Sequence, residues 1–160
     1  MQADRSADAL AAHLARGLVR AMGTEPAPSP VLLLAPDGDP LGEYLRREIL
    51  DLGTPVIRAP EEVSRCRGVA VTRLTPRLVC RVWSGVCPDG ESEAVFQSLL
   101  TKKPVWTPRE GRPWEALPPG PLLLRVQERF WELRRAGLEV LPAEELIRRA
   151  AGAEQKERRG

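Results

Sequence analysis

Apolar residues along this chain fall into two kinds of run. Short, mostly apolar runs, VLLLA at 31–35, PVIRA at 55–59, GVAVT at 68–72, PVWT at 104–107 and LEVL at 138–141, read as strands. A run with no polar alternation, such as VLLLA, is the pattern of a strand buried on both faces. Between the runs the apolar positions recur at helical spacing. Over 40–52, Leu41, Tyr44, Leu45, Ile49 and Leu52 share one face and Glu43, Arg46, Arg47 and Asp51 the other. Pro40 suits a first helical turn and Gly53 a stop. Residues 61–66 read as a short helical turn or loop. Residues 74–107 read as a helix, a break at Gly85, a second helix started by Pro88-Asp89-Gly90, and a strand. A proline-rich loop precedes a long helix over 122–136, with Leu123, Val126, Phe130 and Leu133 facing the core; a last helix spans 142–150.

Strands alternating with helices on short connections predict a parallel sheet with right-handed crossovers. The expectation is an α/β, flavodoxin-like, doubly wound three-layer domain of about five parallel strands over residues 31–151. Upstream, Leu10, Leu14, Leu18 and Met22 repeat at helical spacing, with Arg16 and Arg20 on the other side. Residues 1–23 are therefore expected to carry an amphipathic helix, 24–30 a linker rich in proline and small residues, and 152–160 a polar, disordered tail. No internal repeat is visible.

Composition narrows the function classes. The chain has 160 residues, 42% hydrophobic and 29% charged, which suits one soluble globular domain with a substantial core. Its net charge is +2, with 24 basic residues against 22 acidic ones, so no nucleic-acid partner is expected. No apolar run is long enough to span a membrane. Three cysteines, Cys66, Cys80 and Cys87, without a leader pattern, suggest a reducing cytoplasm. With His13 the only histidine and no CxxC or HxxxH spacing, no metal site is expected. Cys80 and Cys87 read first as small buried hydrophobes; a reactive thiol is the sharper alternative, given Arg77 and Arg81 nearby. Trp83 and Trp106 read as core or interface, or as rings beside a crevice.

Ligands of such sheets bind beyond the carboxyl ends of the strands. The loop after the first strand, APDGDPLG, lacks the GxxxxGK[ST] of a P-loop, and no GxGxxG turn exists. A phosphorylation receiver is excluded as well: the places of its phosphoacceptor and lysine hold Thr72-Arg73 and Leu141-Pro142. Asp37 and Asp39, around Gly38, read as turn and helix N-cap residues, or as ligands of magnesium or of ribose hydroxyls. Thr75 precedes a helix start with proline at its first position. Its hydroxyl either caps that helix alone or borders an anion site at the helix N-terminus, where Arg73 and Arg77 add positive charge.

The segment TPRLVCRVWSGVCPD…SLLTKKPVW resembles a motif of the flavoprotein superfamily that includes the homo-oligomeric flavin-containing cysteine decarboxylases. In that family T-A-N-T-I-A-K-I-A-x-G-I-A-D follows the third strand. Thr75, Gly85 and approximately Asp89 take the places of its threonine, glycine and aspartate, and Lys103-Pro104-Val105 that of its next strand entry. The resemblance implies flavin mononucleotide (FMN) held at a subunit interface, with Asp37, Gly38, Thr72, Thr75, Arg77, Gly85 and Asp89 as cofactor-binding candidates and a homo-oligomer as the assembly. Arg77 stands where the family has its motif asparagine, Pro36–Asp39 replaces a Gly-Ser-rich loop, and no histidine follows His13, so decarboxylation of a cysteine is not expected.

End to end, the order of helix, linker, strand, Leu99-Leu100, Lys103–Val105, Gly137–Val140 and Glu144–Leu146 is similar to flavoprotein-like proteins of bacterial microcompartment gene clusters, such as those for ethanolamine utilisation. This implies an accessory flavoprotein, cytoplasmic or inside a microcompartment, with residues 6–22 as a shell-docking helix. The alternatives are that this helix packs on its own domain or on a second copy. A non-catalytic scaffold subunit that has lost the cofactor is the second functional expectation.

Overall fold

The computed structural model describes residues 28–152 and, upstream, Ala11, Ala12 and Leu14. Those three are helical. The rest of the expected N-terminal helix, most of the linker and the tail beyond residue 152 lie outside the described residues.

Five parallel strands form one sheet in the order β2-β1-β3-β4-β5. They are β1 (Val31–Leu34), β2 (Val56–Ile57), β3 (Gly68–Val71), β4 (Val105–Pro108) and β5 (Leu138–Leu141). The helices are α1 (Pro40–Asp51), α2 (Pro76–Ser84), α3 (Gly90–Leu100), α4 (Pro121–Ala136) and α5 (Ala143–Ala150). Side chains of β1 alternate between two cores. Leu32 and Leu34 join Val69, Val71, Val79, Val95 and Leu133 beneath α2, α3 and α4. Val31 and Leu33 join Leu45, Ile49, Trp106, Leu146 and Ile147 beneath α1 and α5. Burial on both faces is why β1 and β3 carry no polar side chain. The flavodoxin-like, three-layer expectation holds.

One local expectation changes. Residues 55–59 supply only two strand residues, Val56 and Ile57, both half-buried. This strand is at the sheet edge, and Pro55 contributes a carbonyl to Val31 N–H at 2.9 Å but has no N–H of its own. Residues 60–65 form a 3₁₀ turn. Trp106 is buried while Trp83 is 44% exposed, so one tryptophan belongs to the core and the other to the surface.

Gly111 locks the sheet's upper edge. A Cβ there would lie 1.9 Å from the Thr72 carbonyl oxygen, and the Gly111 carbonyl accepts from Leu74 N–H at 3.1 Å. The turn after β4 is thereby pressed onto the end of β3. Among the described residues, no helix is long and apolar enough to cross a membrane.

Candidate functional site

The strand order reverses between β1 and β3, so the loops after these two strands flank the crevice where a doubly wound sheet receives its ligand. Asp39 follows β1 and Arg73 follows β3. Across the crevice Arg73 Nη2 donates to Asp39 Oδ1 at 2.9 Å, and its Nε donates to both carboxylate oxygens at 3.3 Å. The Asp39 side chain is only 4% exposed; that of Arg73 is 38% exposed. The Arg73 hydrogen bond holds the Asp39 carboxyl below the usual carboxylate range, against the opposing effect of burial. Asp39 stands at the N-cap position of α1 but makes no side-chain cap bond, so the expected capping role is replaced by this ion pair. The crevice already contains its own anion.

The seven residues nominated from sequence do not converge. Asp37 is fully exposed, 3.9 Å from Arg58, and Gly38 beside it has φ 74° at the loop tip. Thr72 is buried and its hydroxyl donates to the Leu34 carbonyl at 3.3 Å. Thr75 accepts from Leu78 N–H at 3.2 Å and caps α2. Pro76 has no N–H, and Val79 N–H bonds the Thr75 carbonyl at 3.0 Å, which leaves Arg77 N–H as the first-turn amide with no such acceptor. One free amide is a poor phosphate cradle. Gly85, with φ 73°, ends α2, and Asp89 caps α3 by accepting from Ser92 N–H at 2.8 Å. Gly85 lies at the far end of α2, about 15 Å from Thr75 by helical rise, and Asp89 follows in the next connection. The Asp89 carboxylate also accepts from Arg81 at 2.7 Å; the Ser92 amide, followed by the arginine, keeps its carboxyl ionised below the usual range.

Arg77 belongs to a different place, a surface groove of about 530 Å³ between α2 and α4. Four arginines line it: Arg77 and Arg81 on α2, Arg125 and Arg129 on α4. Each pair is spaced i, i+4, so each helix presents both guanidiniums on one face. Trp83 forms the wall they share, with the Arg129 guanidinium 3.6 Å from its ring centroid. Arg81 is committed to Asp89, and Arg129 also reaches Glu132 at 3.3 Å. Arg77 and Arg125 have no carboxylate partner among the described residues. Cys80 lines the same groove and is exposed, and Cys87 is half-buried, so neither is a core residue. The inward positions of α2 are Leu78, Val79 and Val82, which turns Cys80 outward. Burial raises the Cys66 and Cys87 thiols above their ordinary value.

Neither a family model nor a curated protein matches the chain. Solved structures do. A crystal structure of AnUbiX (PadA1) in complex with FMN and dimethylallyl pyrophosphate is similar at a TM-score of 0.50 and 16% identity, covering 79% of this chain and 88% of that one. The likeness is one of fold. Apo Burkholderia xenovorans DmrB, described as a cubic protein cage for redox transfer, gives 0.43 at 16% identity, with 68% of each chain covered. Phenylacrylic acid decarboxylase from Aquifex aeolicus gives 0.45 at 14%, covering 70% of this chain and 78% of that one. Neither of these two scores is high enough to carry an argument.

Sequence reasoning missed Arg125, Arg129 and Gly111. The two R-x-x-x-R spacings were readable, but that two helices some 40 residues apart face one another was not. Among the described residues, no group of three His, Cys, Asp or Glu side chains is placed to hold a metal ion.

Proposed function

We propose that this chain is an FMN-binding accessory protein that holds the cofactor in the α2–α4 groove. The observation that carries the reading is the pair of uncommitted guanidiniums, Arg77 and Arg125, beside the half-exposed Trp83. Guanidiniums bind phosphate through paired, charge-assisted donors, and an aromatic wall suits a planar ring. The groove's volume lies within the range of small-molecule sites. The donor set at the β1–β3 crevice does not fit: a phosphate there would meet the buried Asp39 carboxylate. Bound flavin would supply the redox chemistry, and the chain would supply placement and charge. The likeness in fold to an FMN complex supports the choice of flavin among planar phosphates.

The assembly we propose is a homo-oligomer. Leu122, Leu124 and Trp131 on α4 are large apolar side chains more than half exposed, on the same side of the sheet as the groove. A setting in a microcompartment-type pathway rests on the order of motifs in the sequence, with the shell partner met by residues 6–22.

The second reading, a non-catalytic scaffold subunit, is favoured by the Asp39–Arg73 pair, which fills the crevice where a sheet of this type receives its ligand. Titrating flavin fluorescence with the purified protein separates the two. Saturable quenching, lost in Arg77→Glu and Arg125→Glu, supports the flavin site. No quenching at high protein concentration supports the scaffold.

A further inference from the structure

We propose that the N-terminal helix of this chain docks on its own domain, with its apolar stripe in a second groove at the strand-start edge. This groove, about 390 Å³, is walled by Val82, Trp83, Phe96, Leu99, Leu100 and Leu133. These residues come from the C-terminal ends of α2, α3 and α4. Because α3 leads into β4 and α4 into β5, those ends lie at the edge where the parallel strands begin. The close approach of Leu99 to Gly137, the residue before β5, fixes the same edge.

Residues 28–30 enter β1 at this edge, and the Pro30 carbonyl accepts from Arg67 N–H at 2.9 Å. The amphipathic stripe ends at Met22, which leaves 23–27 as the connection. Five extended residues reach about 17 Å. From β1 the groove is about two strand spacings across and one helix layer up, on the order of 15 Å. The connection is therefore long enough to reach the groove of its own chain.

The chemistry of the two surfaces matches. Leu10, Leu14, Leu18 and Met22 form one stripe, and Leu14 is 61% exposed. On the other side Leu100 is 64% exposed at the groove's rim. Joining the stripe to the groove would take the exposed parts of Leu14, Leu100 and Trp83 out of water. The linings also differ in charge: the α2–α4 groove carries four arginines, whereas the second groove has only Lys102 and Glu132, so seating an apolar stripe in the second desolvates fewer charges. Trp83 lines both grooves, so a docked helix would cover the lower edge of the proposed flavin wall.

The inference does not depend on the flavin reading, and its test contains no flavin. Amide hydrogen exchange is measured on the full-length chain at two protein concentrations, for the wild type, Leu100→Glu and Leu18→Glu. Leu100 is mostly in water, so its replacement spares the domain, which β1 amide protection checks. The expected result is protection over residues 6–22 that is independent of concentration and falls about tenfold in either variant, the loss of roughly one buried leucine. Protection that is absent in the wild type, or unchanged in both variants, overturns the proposal. Protection that rises with concentration overturns it in favour of a second copy, and protection gained only on adding a shell protein overturns it in favour of that partner.

Discussion

The β1–β3 crevice and the α2–α4 groove are both lined by arginine, yet they differ in what those arginines are free to do. In the crevice Arg73 is bound at three contacts to a carboxylate buried beside it. In the groove Arg77 and Arg125 have no such partner among the described residues. Anion affinity follows uncommitted donors rather than donor count, because an incoming phosphate at a satisfied pair must first break charge-assisted bonds and meet the displaced carboxylate. The crevice at the strand ends is thus held by an ion pair, and the uncommitted arginines lie on the helix layer outside it.

The strongest way to break this contrast is to disturb the clamp's roof. Gly111→Ala drives a methyl into the Thr72 carbonyl and should cost about 3 kcal/mol or more in denaturant unfolding, with overpacking as the cause. Stability within about 0.5 kcal/mol of wild type would mean that the turn after β4 is not pressed onto β3. Next, the double change Arg77→Glu with Arg125→Glu should weaken FMN binding by about a hundredfold, the value of one or two charge-assisted bonds. The fold should be unaffected, since both side chains are on the surface.

Asp39→Asn sharpens the comparison from the other side. It removes the internal anion and should destabilise the domain by about 1–3 kcal/mol near neutral pH. The folded carboxyl titrates below its ordinary value of 3.8, so the pair's contribution is fully present above that value. It is lost as pH falls from there through the lowered folded value. The asparagine variant should lack this acid-dependent loss, and Arg73, released, should confer weak phosphate binding on the crevice. An acid limb identical in both proteins would show that Asp39 is not the group responsible. The smallest effect is expected for Thr75→Ala: about 1 kcal/mol of stability from a lost cap, with flavin affinity unchanged. Lost affinity would move the phosphate back to the start of α2.

The layers of this fold were legible because burial on both faces of a parallel sheet leaves strands such as VLLL and GVAV without polar alternation. Helix ends were legible for the same local reason: Thr75, Gly85 and Asp89 cap in the positions their chemistry favours. The site was less legible, because its defining contacts are not local. Asp39 and Arg73 are 34 residues apart, and only the β1–β3 adjacency brings them together. Asp39 looked like a cap for lack of any local sign of its partner. Cys80 and Cys87 were misread as buried, although the inward spacing of Leu78, Val79 and Val82 already assigned Cys80 to the outside. Arg125 and Arg129 sit on a helix whose partner, α2, is named by tertiary packing alone.

The most direct test of the account exchanges the two regions in one experiment: FMN fluorescence titrations of the wild type, Arg77→Glu with Arg125→Glu, and Arg73→Glu. The account predicts saturable quenching by the wild type, about a hundredfold weaker binding in the groove variant, and near wild-type affinity in the crevice variant, provided it is folded by circular dichroism. Binding lost in Arg73→Glu and kept in the groove variant would contradict it, and would return the cofactor to the strand ends.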